Sequence, residues 1–261
     1  MALLKTQAIT LKSRKWGEAD RIVTFYTLRF GKLRGVARGA RRQKSRFGSA
    51  LEPFVHCDLN VFEKGNDPLY RITQADIRES HASLREDLTL MAGSARLANL
   101  VEAVTAEGDA GHKVFETLLA GLSAIQLSND PALTALLFQI RLLGCTGFRP
   151  QTDHCAACGQ TSPRLAGRDE GQFSPLAGGI VCGDCARRRP DRCLMMARGS
   201  MACLQQALDL PIPVLPRLKA SGQVRSELER TVEAYVTVVA GKRLPPVDFL
   251  AADRPAPTYR S

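Results

Sequence analysis

Four of the eight cysteines in this chain of 261 residues stand in two pairs, Cys155 with Cys158 and Cys182 with Cys185. The pattern is C-x2-C, 23 intervening residues, then C-x2-C. A two-residue spacer lets consecutive thiolates converge on one ion from a tight turn, and two such turns complete a tetrahedral shell. Gly159 follows the first pair and Gly183 lies inside the second. Between the pairs, Gln172–Val181 offers Phe173, Ile180 and Val181 as strand residues around a turn. Cys155, Cys158, Cys182 and Cys185 are therefore the expected ligands of one zinc ion in a ribbon. Four sulfurs close the shell against water and substrate, so the ion is expected to be structural. His154 reads as a bystander. Arg187, Arg188, Arg189 and Arg192 would offset the negative charge of the site or, on a second reading, touch a nucleic acid.

A second chemistry sits near the start. Phe30–Phe47 carries Lys32, Arg34, Arg38, Arg41, Arg42, Lys44 and Arg46, and no acidic residue falls between Arg21 and Glu52. The net charge is +10, yet residues 1–48 hold 13 Lys or Arg against 2 acids while the remainder is nearly balanced. A basic block of this kind is often only a solvated face, but concentrated charge also raises a local field that attracts a polyanion. Phe47 lies among Arg and Ser and is read as a ring able to stack on a base. For Tyr26, on an expected strand, stacking and barrel core are both open. Walker A, G-x-G-x-x-G, HExxH and G-x-S-x-G motifs are absent, and the histidines (His56, His81, His112, His154) are scattered, so no enzyme is expected.

These residues need elements to hold them. Lys5–Lys12, Arg21–Leu28, Leu33–Arg38, Phe54–Phe62 and Leu69–Ile77 read as strands from alternation and β-branched content, with a turn at Lys64–Pro68. Short strands in this number suggest a small barrel. The five-stranded OB-fold leads, and an SH3-like barrel stays open on pattern alone. From about Ser80 the period becomes helical over Ala82–Glu107 and His112–Leu127, and a third helix starts at Asp130-Pro131. Helical patterns resume at Ala197–Leu208 and Val224–Val239, with the proline-rich Pro211–Leu218 between them as a connector. Cys57 and Cys145 fall on apolar faces and read as core. The resulting division is a barrel over 1–80, a helical domain over 81–148 and 194–243, a ribbon insertion over 149–193, and a loosely held tail over 244–261. No run approaches a membrane span and the N-terminus lacks an export signal, so a cytoplasmic protein without membrane contact is expected.

Two segments carry a family resemblance: GEADRIVTFYTLRFGKLRGVARGARRQKSRFGSALEPF (Gly17–Phe54), and the CAACG and FSPLAGGIVCGDC stretches within Cys155–Cys185. In this order they resemble the bacterial RecO recombination-mediator family. The resemblance implies an N-terminal OB-fold, a helical domain and an inserted four-cysteine zinc ribbon. It further implies a non-catalytic, nucleoid-associated protein of DNA repair. Such a protein binds single- and double-stranded DNA, anneals complementary strands and, with RecR, assists RecA loading onto DNA coated by single-strand-binding protein. The alternatives are an RNA-binding zinc-ribbon protein of the translation machinery and an oxidoreductase cycling its CxxC pairs.

Overall fold

A computed structural model describes residues 2–63, 69–160, 170–189 and 191–244. The expected turn at Lys64–Pro68 and the tail from residue 245 lie outside the described residues.

The first half builds a closed barrel from β1 (Leu3–Trp16), β2 (Asp20–Thr27), β3 (Gly31–Ala37), β4 (His56–Phe62) and β5 (Tyr70–Glu79), in the order β1-β2-β3-β5-β4. This is the OB-fold expected from the sequence, with β1 extending beyond the expected Lys5–Lys12 at both ends and β2 close to the expected Arg21–Leu28. β1 closes the barrel by serving two neighbours, pairing with β4 from Leu3 to Ile9 and with β2 from Ala8 to Trp16. A register shift between Thr10 and Lys12 bends it from one to the other. Ala8, Val23, Phe25, Leu33, Leu59, Val61 and Ile72 fill the interior. Cys57 is among them, fully buried, and burial pushes its thiol pKa up to about 12, helped by Asp58 and Asp76.

Ile9, Leu11 and Tyr26 belong instead to the apolar cluster of the helices, together with Phe54. The helix expected over Ala82–Glu107 is two, α1 (Ser83–Glu86) and α2 (Leu88–Val104). The break has a local cause: Asp87 is extended, and its carboxylate accepts from the Thr89 and Leu90 amides at 2.7 and 2.9 Å. α3 (His112–Gln126) and α4 (Pro131–Cys145) follow. Asp130 caps α4 through the Leu133 amide, with Pro131 in the first turn as the sequence suggests. Arg225 then grips the same Asp130 carboxylate at 2.6 and 3.2 Å.

The ribbon contributes β6 (Glu170–Ser174), β7 (Gly179–Val181), the short helix α5 (Gly183–Arg188) and β8 (Leu194–Ala197), and the chain ends in α6 (Arg198–Asp209) and α7 (Gly222–Val239). The sheet order is β7-β6-β8, so Leu194–Ala197, expected to lie with the helices, belongs to the ribbon sheet. The sheet does not stand apart. Phe173, Ile180 and Met196 join the same cluster as Leu204, Leu208 and Tyr235, and Phe173 meets Tyr235 edge-on at 5.7 Å. Among the described residues no helix is long and apolar enough to cross a membrane.

Candidate nucleic-acid interface and metal centre

The connection from β3 to β4, residues 38–55, carries most of the basic run. β3 and β4 are not neighbours in the barrel, since β5 lies between them. The loop therefore has to cross the end of the barrel, and it does so with two different sides. Phe47, Ala50 and Leu51 turn inward and are at most 3% exposed, within the barrel's apolar cluster. Arg38, Arg41, Arg42, Lys44 and Arg46 are exposed. Among the described residues none of these five pairs with a carboxylate.

This corrects the expectation for Phe47. It is no stacking residue, because the ring is 3% exposed and its outer face is covered by the Arg46 guanidinium at 4.9 Å. Apolar residues at i, i+3 and i+4 (Phe47, Ala50, Leu51) were the signal for an inward-facing turn, and the Ala50 amide indeed donates to the Phe47 carbonyl at 2.9 Å. Tyr26 is also core: it is 1% exposed, and its hydroxyl accepts from the Gly111 amide at 3.0 Å.

The loop is fastened to the tip of the β1–β2 hairpin. Arg41 donates from its backbone to the Ala19 carbonyl at 2.9 Å and from its guanidinium to the Gly17 and Glu18 carbonyls at 3.1 and 2.9 Å. Asp20 accepts from the Gly39 amide at 2.8 Å.

Lys32 and Arg34 occupy a different place. They sit on the outer face of β3, in a cleft of about 530 Å³ between barrel and α2 that Lys12, Arg14, Lys242, Glu102 and Glu107 also line. Lys32 donates to the Glu102 carbonyl at 2.7 Å, and Arg34 pairs with Glu107 at 2.7 Å. Burial lowers the pKa of the Lys32 ammonium, against the pull of Glu102 and Glu107. The structure thus separates the seven cations into a loop set without carboxylate partners and a cleft pair engaged by α2 and the connection that follows it. Lys12, Arg14 and Lys242 join the cleft pair through the fold, without any local motif to mark them.

The metal centre gathers as the spacing suggests. The Sγ atoms of Cys155, Cys158, Cys182 and Cys185 lie within 4.8 Å of one another, and Cys158 Sγ is 4.0 Å from Cys182 Sγ. Sulfurs at the corners of a tetrahedron with 2.3 Å bonds would stand about 3.8 Å apart. The thiols are free, and the set could hold one metal ion. The first knuckle is tied to β7 by the Ala156 amide donating to the Ile180 carbonyl at 2.8 Å, and it turns through Gly159, whose amide donates to the Cys155 carbonyl at 2.8 Å. Burial raises the pKa of Cys155, but amides of Cys182, Cys158 and Ala157 aimed at its sulfur outweigh it and hold the thiol at about 6. The Cys182 and Cys158 side chains in turn push the Cys185 thiol up to about 12, so the thiolate is favoured at Cys155 and opposed at Cys185. Around the site Arg187 pairs with Asp184, and Arg189 with Asp191 at 2.9 Å, while Arg188 and Arg192 are exposed.

Comparison with known proteins covers both the barrel and the part that follows it. Residues 1–81 match the family described as Recombination protein O N terminal, and residues 85–246 match Recombination protein O C terminal. The chain is 31% identical over 237 residues to the DNA repair protein RecO of Thermoanaerobacter sp. strain X514, covering 90% of this chain and 92% of the relative. Against the DNA repair protein RecO of Symbiobacterium thermophilum it is 31% identical over 257 residues, 98% of this chain and 100% of the relative. With both halves matched and relatives aligned over nearly their full length, this chain belongs to the RecO family of DNA repair and recombination proteins.

Proposed function

We propose that this protein is a non-catalytic recombination mediator. It binds single- and double-stranded DNA through the exposed cations of the β3–β4 loop, Arg38, Arg41, Arg42, Lys44 and Arg46. The observation that carries the reading is their arrangement: five exposed cations on one loop, none paired with a carboxylate among the described residues. At Arg38, Arg42 and Lys44 phosphates would displace only counterions, giving affinity with little sequence preference and a steep dependence on salt. Lys32 and Arg34 are already engaged with the helices and would contribute less.

Strand annealing follows from the same feature. Backbone contacts neutralise the repulsion between two strands and leave the pairing edges free, and duplex formation needs no nucleotide hydrolysis. Cooperation with RecR, and assistance to RecA on DNA coated by single-strand-binding protein, are the partner roles that family membership supports. The four cysteines are assigned to one structural zinc ion, since a closed sulfur shell excludes substrate.

Arg38, Arg42 and Lys44 replaced together by Ala test the loop while sparing Arg41, which fastens it to the hairpin. Binding should weaken alike for all DNA sequences, and the slope of log K against log salt should flatten by about 0.7 to 0.9 for each phosphate that is no longer neutralised. An unchanged slope in the folded variant would remove the loop from the interface. A structured RNA competing better than DNA would favour the translation reading instead.

A further inference from the structure

With Phe47 and Tyr26 buried, the barrel needs another ring if it is to hold bases as well as phosphates. Phe25 and Phe54 are also in the core, at most 1% exposed, and Phe30, Phe62 and Tyr70 are half-buried. Trp16 is different. At 49% exposure it is the one exposed Phe, Tyr or Trp ring among the described residues. It stands at the end of β1 where the β1–β2 hairpin turns. Leu88 and Leu127 are more exposed still, so exposure alone does not say what covers the ring.

Its surroundings indicate what. Lys12, Arg14 and Trp16 alternate along β1 and share one face of the strand, and Lys12 and Arg14 line the cationic cleft. The face therefore runs from the cleft, through two cations, to the ring. Across the hairpin Trp16 pairs with Asp20, whose carboxylate holds the Gly39 amide at 2.8 Å. The hairpin tip is thereby fastened to the root of the basic loop, a bond that the three Arg41 contacts repeat. An exposed indole set between two groups of cations is suited to a polyanion that also presents flat aromatic faces, which is a single-stranded nucleic acid.

We propose that Trp16 is the base-stacking platform of this protein for single-stranded DNA. The assignment rests on the DNA-binding reading above and adds to it the residue that distinguishes single strands from duplex. In a duplex the base faces are already stacked, so the ring has nothing to cover; on a single strand it stacks on whichever base arrives.

Trp16 is the only tryptophan in the chain, so its emission reports the stacking without a label. The full-length protein would be titrated with an oligothymidylate and with an abasic strand of equal length. The indole emission should be quenched by the first and much less by the second. W16A should weaken oligothymidylate binding by at least about fivefold, W16F should restore most of it, and duplex affinity should hold. The salt slope of W16A should match the wild type, because every cation is still in place. Unaltered emission together with full affinity in W16A would overturn the proposal and give the exposed ring to a protein partner. If R38A/R42A/K44A then still loses affinity, the DNA-binding reading stands without the stack. An equal loss on the abasic strand would reduce Trp16 to shaping the hairpin, and failure of the wild type to bind either strand would remove both readings.

Discussion

Glu227 shows how single residues hold the second half together. It is 7% exposed, and its carboxylate accepts from the Ala197 amide at 2.7 Å, the Ser200 hydroxyl at 2.6 Å and the Gln223 side chain at 2.8 Å. One side chain of α7 thus caps the start of α6 and ties in the end of β8. Burial raises its pKa, but these donors outweigh burial and the net shift is downward. A folded pKa below the unfolded value of about 4.3 means that the stabilisation is complete above that pH and is lost as pH falls through the folded value. Glu227→Ala, which strands the Ala197 and Ser200 donors, should cost about 1–3 kcal/mol at pH 7 by denaturant unfolding. The gap to wild type should narrow below about pH 4, and a gap constant down to pH 3 would count against a charged Glu227. At this scale the sequence was legible where chemistry demands a spacing, as for the four cysteines. It misled where exposure had to be judged from neighbours: Phe47 sits among Arg and Ser but fills the barrel, while Trp16, flanked by Lys15 and Gly17, stays outside. Local composition reports what surrounds a ring in the chain, and burial is decided by what the barrel end leaves open.

Between elements, a glycine is required where the α2–α3 connection crosses the start of β3. Gly31 has a φ of 61°, and a Cβ there would sit 2.1 Å from the Asp109 carbonyl oxygen. The Gly108 amide donates to the Lys32 carbonyl at 3.2 Å beside it. Gly31→Ala combines a left-handed backbone with a clash against main chain, and should destabilise by at least about 2 kcal/mol. Gly17→Ala has the same backbone sign, at 57°, but open space around it, so it isolates the backbone contribution. Equal losses in the two variants would show that the connection yields to the added methyl. The strands themselves were readable, because a half-buried strand has to alternate, as β4 does from Cys57 to Phe62; Phe54, expected to open that strand, has a φ of 71° and precedes it. The break at Asp87 was not, since the apolar period continues across it and only the capping carboxylate interrupts the helix. β8 was missed for the opposite reason, being four residues long and paired with a strand distant in sequence.

Over the whole molecule, charge and metal chemistry are kept apart. The positive excess belongs to the first 48 residues, and the four cysteines sit beside a separate sheet. That sheet nevertheless shares its apolar cluster with the helices and with Ile9, Leu11 and Tyr26 of the barrel. Stripping the proposed zinc with a chelator, or replacing Cys155 by Ser, should therefore lower the melting temperature by at least about 5 °C. DNA affinity at low temperature should stay within about twofold of wild type, since the cations on the loop are untouched. Metal removal that leaves the melting temperature unchanged would argue against a structural ion, and weakened DNA binding by a folded apo form would bring the ribbon into the interface.

The crossing of the barrel end by residues 38–55 has a consequence for how this surface can change over time. Phe47, Ala50 and Leu51 are bound to the interior, whereas the exposed cations beside them meet solvent. On the reading proposed above, substitutions at Arg38, Arg42 and Lys44, which leave the Arg41 fastening in place, can raise or lower the attraction for DNA with little effect on folding. Shortening the loop cannot, because its ends belong to strands with a third strand between them. Affinity can drift by point changes here, while length is held by geometry.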